Sequence, residues 1–253
     1  MLNVHRTVAS FWCMCLAVLL AALGGCAAAL PTYPNLPAKE SLEVLAMRAE
    51  SVRSLSAQVE LSLVNPQGQS IALDGAFAAI PPDRMRLQAW KFNTTVLDVT
   101  CTSDEVWSVP EHQSGSDSQS QGFSGGTSLQ AETLLELSRP SFWRTARLVD
   151  AKTTDSELVV TSGLPGHEEV NCVVDRRTLT ARQFSSFGTR EAGGEQYSLS
   201  LEQYRLIDGV VWPTILVFTG PEGTVRVSLN DVEINKQIYD AVFVPPARAK
   251  QRQ

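Results

Sequence analysis

The chain is 253 residues long, 43% hydrophobic and 19% charged, with 27 acidic against 21 basic side chains and a formal net charge of -6. That length and apolar content support a buried core in one large domain or two small ones, and exclude collagen-like, coiled-coil and wholly disordered classes. The acidic balance gives no electrostatic footprint for nucleic acid, and three histidines leave few imidazoles for a metal site.

Residues 1–10 carry His5 and Arg6 and no acid, and residues 11–23 run without a charge. That apolar run is too short for a bilayer core of about 30 Å, which takes about 20 helical residues, and fits a secretory signal peptide over residues 1–25. Its exit, Leu23-Gly24-Gly25-Cys26, resembles the bacterial lipobox. There the cysteine thiol takes a diacylglyceryl thioether, the peptidase cuts before it, and the small residues admit the backbone to the peptidase. Cys13 and Cys15 do not follow small residues at the end of the run. Lipidation at Cys26 is therefore expected, with the membrane as partner through a stable anchor of two or three acyl chains. Ala27, where an enterobacterial inner-membrane protein carries Asp, points to the outer membrane, facing the periplasm. Cys101 and Cys172 remain as an even pair in an oxidising compartment, either bridged or buried as two separate thiols.

Residues 26–38 hold three prolines without periodicity and read as a tether. Over 40–55, Leu42, Leu45, Ala49, Val52 and Leu55 recur at helical spacing, with Glu43, Arg48, Glu50 and Arg53 filling the other face. At Ala57 the period becomes two: Val59, Leu61 and Leu63, then Ile71, Leu73, Gly75, Phe77 and Ala79, then Met85, Leu87 and Ala89 alternate with polar residues. Further strands follow at 94–101 and 105–109. Residues 111–128 are a polar loop, a helix is expected over 129–137 stopping before Pro140, and Phe142 and Trp143 follow. Strands resume at 147–149, 157–161, 170–174, 181–187, 197–206, 210–219 and 224–234, with Asp208-Gly209 as a hairpin turn. The tail 247–253 is polar and expected to fray. Helix, strands, helical interruption, strands is an α+β pattern, with about ten strands in one large antiparallel sheet that closes or curls.

Four passages stand out: Ser54-Leu55-Ser56-Ala57 after the opening helix, Gly75-Ala76-Phe77 running to Pro82 and Arg84-Met85-Arg86, Asp104-Glu105-Val106-Trp107-Ser108-Val109-Pro110, and Val242-Phe243-Val244-Pro245-Pro246. Together they resemble the LolA/LolB-like superfamily, the last of them its common ending, an aromatic strand stopped by two prolines. The likeness covers most of residues 39–246, the expected single domain. It implies an unclosed barrel, one curled antiparallel sheet with helices across its concave face, enclosing an apolar cavity for acyl chains. The soluble carrier of that family has an arginine before the proline of its second turn, where this chain has Ile80 before Pro81. An anchored chain suits the receptor of that family better than its diffusing carrier, but residues 64–70 and 110–128 are too polar to be the receptor's membrane-inserting loop.

No nucleophile elbow, phosphate loop or metalloprotease helix is present, so no enzyme, metal ion or cofactor is expected. Gly166-His167-Glu168-Glu169 reads as a solvated turn, and Asp98, Arg84 and Arg86 as outward strand residues, the two arginines alternatively meeting a lipid phosphate. The residues expected to line a ligand cavity are Met85, Leu87, Trp107, Phe142 and Trp143. The expected function is an anchored envelope lipoprotein holding a lipid or the acyl chains of a lipoprotein. The rival is an assembly lipoprotein with a filled core that binds a protein partner.

Overall fold

The computed structural model describes residues 29–102, 105–109, 140–149, 154–164, 167–187, 196–221, 223–246 and 250–252. A helix, α1 (Ala38–Ser51), leads into β1 (Leu55–Val64), β2 (Ser70–Ile80), β3 (Arg84–Lys91), β4 (Thr94–Cys101) and β5 (Val106–Val109). A short helix, α2 (Pro140–Thr145), precedes β6 (Arg147–Leu148), β7 (Glu157–Leu164), β8 (His167–Asp175) and β9 (Thr180–Phe187). The chain continues through β10 (Gln196–Ile207), β11 (Val210–Gly220), β12 (Gly223–Ile234), a 3-10 turn (Asp240–Phe243) and β13 (Lys250–Arg252). The helix expected over 129–137 and the loop 111–128 lie outside the described residues.

The thirteen strands form one sheet in the order β13-β5-β4-β3-β2-β1-β12-β11-β10-β9-β8-β7-β6, so among the described residues β13 and β6 are the edges and the barrel is not closed. All pairings are antiparallel. Alternation sets the faces: Leu55, Ala57, Val59, Leu61 and Leu63 of β1 are all buried, their neighbours less so. Register shifts at Ser56/Gln58, Ala89/Trp90, Ser162/Leu164 and Val173/Val174 add local twist and help curl the sheet around its inner face. Gly75 permits a close approach there, since a Cβ would sit 2.4 Å from the Gln88 carbonyl oxygen and 2.8 Å from Val59 Cγ2.

Several expectations need correction. The opening helix stops at Ser51, and Leu55 begins β1. Residues 33–37 pack on the domain: Tyr33 N–H donates to Arg177 O at 2.7 Å, and Tyr33 and Leu36 lie against the main core. Pro140 opens α2, a helix not expected there, because its missing N–H costs nothing in a first turn. Residues 167–169 are in β8, where Glu169 is exposed and pairs with Arg147 at 2.5 Å. The expected final strand at Val242-Phe243 is a 3-10 turn, and the tail pairs with β5, Lys250 opposite Ser108. Asp98 points outward yet is only 2% exposed. The C-terminal turn covers that face: Arg86 donates to both Asp98 carboxylate oxygens, at 2.9 and 2.7 Å, and to Val242 O at 2.8 Å. Arg84 pairs with Asp240 at 2.7 Å and lies 5.2 Å from the Phe243 ring centroid, so both arginines strap this turn to the sheet.

Cys101 and Cys172 do not form the bridge considered above. Their strands are separated by β3, β2, β1, β12, β11, β10 and β9, and the two thiols are buried in different core clusters.

Candidate functional site

Helix α1 lies across the inner face of the sheet, with α2 beside it and an Arg144–Glu50 ion pair between them. Under α1 is an apolar cavity of about 170 Å³. A cavity of about 150 Å³ with such a lining stays dry and accepts benzene, so this one is large enough for part of an acyl chain. Its roof is Leu45, Arg48 and Ala49 of α1, with Val52 just beyond its end. Its floor comes from β1 (Leu61, Leu63), β3 (Met85, Leu87), β11 (Leu216, Phe218) and β12 (Val225, Val227, Leu229), with Trp143 of α2 at the side.

Polar groups gather at one part of this lining, around the start of β9. Arg48 Nη1 donates to Thr178 O at 3.1 Å and Leu179 O at 2.5 Å. Its Nη2 donates to Thr178 O and to the Tyr33 hydroxyl, both at 3.1 Å, and the guanidinium stands 5.2 Å from the Tyr33 ring centroid. The Tyr204 hydroxyl donates to Ala181 O at 2.5 Å. Burial pushes the Tyr204 hydroxyl pKa well up, the neighbouring Cys172 adds to this, and the positive charge of Arg48 opposes it. Burial likewise raises the Cys172 thiol, which is thereby kept protonated and unreactive. The β8–β9 turn that supplies these carbonyls is braced by Asp175, whose Oδ1 accepts from Thr178 N–H and Thr178 Oγ1, each at 2.9 Å.

Of the residues expected at a ligand cavity, Met85, Leu87 and Trp143 line this one. Phe142 is buried behind it, its ring 5.0 Å from Trp143 and 5.9 Å from Phe184 in edge-on contacts. Trp107 is elsewhere. It sits opposite Thr100 in the ladder, on the outer face, and its Nε1–H donates to Glu105 at 3.0 Å. Sequence reading missed Arg48, Thr180 and Tyr204. For Arg48 the signal was present: it stands three residues after Leu45 and four before Val52, on the apolar stripe rather than opposite it. Cys26 and its lipobox lie outside the described residues.

A second feature stands away from the cavity. Lys91 pairs with Thr94, so the β3–β4 hairpin turns on two residues, Phe92 (φ 49°) and Asn93 (φ 63°). Phe92 is 91% exposed at the tip, with Lys91 Nζ 5.8 Å from its ring centroid. Among the described residues no helix is long and apolar enough to cross a membrane, and no group of three His, Cys, Asp or Glu suits a metal ion.

One unclosed antiparallel sheet, curled under a helix that roofs an apolar cavity, is the LolA-like fold. Three solved structures share it over most of their length. The LolA superfamily protein NE2245 of Nitrosomonas europaea superposes with a TM-score of 0.55 at 14% identity, covering 80% of this chain and 97% of that one. A DUF1329 family protein of Desulfovibrio piger reaches 0.59 at 12% identity, over 82% and 97%. A putative outer membrane lipoprotein-sorting protein domain of Vibrio parahaemolyticus reaches 0.55 at 14% identity, over 82% and 97%. At these identities the likeness is one of fold. No protein-family model and no curated protein matches the sequence.

Proposed function

We propose that this chain is a lipid-anchored protein of the bacterial envelope, attached through Cys26 and facing the periplasm from the outer membrane, whose cavity holds a hydrophobic ligand without chemical change. The cavity under α1 carries the reading, because a sheet serving only as a scaffold has every reason to fill that space. Burial supplies the affinity: at about 0.8 kcal/mol per methylene, a twelve-carbon chain offers roughly 9 kcal/mol of gross transfer energy, before the cost of ordering it. The lipoprotein-sorting neighbour makes acyl chains of a lipid or lipoprotein the natural ligand class. Phe92 at its hairpin tip, beside Lys91, is the element that touches the lipid surface, and takes the place of the apolar loop that residues 64–70 and 110–128 do not provide.

Native mass spectrometry and lipid extraction on the chain from residue 29 onward test the proposal. Acyl lipid near one per protein is expected, and its loss in a folded Leu87→Glu variant places it in the cavity. A clean apo mass with no uptake of a fluorescent fatty acid would leave the rival reading, an assembly lipoprotein with a protein partner.

A further inference from the structure

The cavity is lined almost wholly by hydrocarbon, and one end of it carries a full positive charge. Among the described residues Arg48 is the one charged side chain in the lining. A cation facing an apolar space is unfavourable unless something compensates it. The carbonyl oxygens of Thr178 and Leu179 and the Tyr33 hydroxyl take four N–H contacts of the guanidinium, which fixes its orientation but leaves its charge intact. No carboxylate pairs with Arg48 among the described residues. The nearby acids are committed elsewhere: Asp175 to Arg182 and Thr178, Glu50 to Arg144. The strap uses the donors of Arg48 but sets no opposite charge against it.

We propose that the ligand is an anionic amphiphile, an acyl chain ending in a carboxylate or phosphate, whose head is held by Arg48 while the chain lies along the apolar floor. This rests on the reading that the cavity holds a hydrophobic ligand, and adds the polarity of that ligand and the residue that selects it. With four of its five N–H groups taken, the guanidinium meets the head group with its remaining Nε–H and its charge, which suits either anion. Thr180, beside it in the lining, adds a hydroxyl at the same end, the lining from β1 and β12 is hydrocarbon, and from β11 only the indole N–H of Trp212 is polar.

Four probes with the same twelve-carbon tail test it: dodecanol, laurate, dodecyl phosphate and dodecyltrimethylammonium. Each displaces the neutral fluorophore N-phenyl-1-naphthylamine from the chain beginning at residue 29, which contains every described element. At least one anion is expected to displace it at about tenfold lower concentration than dodecanol, with the cation weakest. The tighter of the two anions then names the head group. Raising the salt about tenfold narrows the gap. Arg48→Met brings anion and alcohol within about twofold of each other, and Arg48→Lys keeps a preference for the anions. Dodecanol binding as tightly as both anions, or an undiminished gap in R48M, overturns the proposal. Because Arg48 also holds α1, the salt dependence of the unaltered protein decides the matter should R48M fail to fold. Failure of all four probes to displace a bound reporter, or of the reporter to bind, instead removes the cavity reading beneath it.

Discussion

Asp175 shows how one carboxylate fixes the polar end of the cavity. Burial would raise its pKa, but the N–H and hydroxyl of Thr178, the charge of Arg182 and the Arg177 N–H outweigh that and hold it below the ordinary aspartate value. A carboxyl lowered in the folded state contributes stability at pH above its unfolded value of about 3.9, and loses it as pH falls through the lowered folded value. Asp175→Asn is therefore expected to lower stability at neutral pH by about 1 kcal/mol, or roughly 2–4 °C in Tm. Thermal melts at stepped pH should show the difference closing on acidification below about pH 4. A difference constant with pH would mean that the charge is not its source. The same scale shows where sequence reading stops. Arg48 was legible in its spacing to Leu45 and Val52, but its charge argued for the solvent face. Asp98 was not legible, because it is buried by residues 240–243, which nothing in its own strand announces.

At the scale of the element, the β3–β4 hairpin departs from its own chemistry. A two-residue turn with both φ positive favours Asn-Gly, and here a bulky aromatic holds φ 49° at the first position. The left-handed region costs a residue with a Cβ about 1 kcal/mol, which glycine avoids, though glycine loses more freedom on folding. Phe92→Gly is thus expected to raise stability by about 0.5 kcal/mol while several-fold less protein sediments with phosphatidylethanolamine–phosphatidylglycerol vesicles. Loss of stability, or unchanged sedimentation, would count against Phe92 as the membrane-touching tip. Strands with clean alternation, such as β1 and β2, were legible because one face is buried along their whole length. The short α2 was not, since Pro140 signals both the end of one helix and the start of another. The outer-face 3-10 turn was misread for a related reason: Val242-Phe243-Val244 has strand composition, but it is Arg84 and Arg86 that fix its place.

For the whole molecule, composition and pattern pointed to one antiparallel sheet around an apolar interior, and the resemblance supplied its unclosed form; how the roof is held needed the third dimension. Both ends of α1 are tied. At its C-terminal end Asn235 accepts from Arg53 N–H at 2.7 Å and donates to Ser51 O at 2.9 Å, while Ser54 Oγ donates to Lys236 O at 2.5 Å. Arg48, in the last turn, adds its bonds to the β8–β9 turn there, and at the N-terminal end the ties run through the preceding residues, Tyr33 N–H to Arg177 O and Arg176 to Leu36 O at 3.0 Å. The segment that reads as a tether therefore serves as half of the clamp. It also sets a distance. With the anchor proposed at Cys26, the stretch from there to Tyr33 spans at most about 25 Å when extended, which keeps the polar end of the cavity close to the bilayer. A chain beginning at Ala38 loses the Tyr33 and Leu36 ties and should melt about 2–4 °C below one beginning at Ala29, on the basis of about 1 kcal/mol of lost hydrogen bonding. It should also release a bound fluorophore faster in stopped-flow dilution, because the N-terminal end of the roof is then free while Asn235 and Arg48 hold only its C-terminal end. Equal melting and equal release would assign residues 29–37 back to a passive linker, and leave the roof to the ties at its C-terminal end.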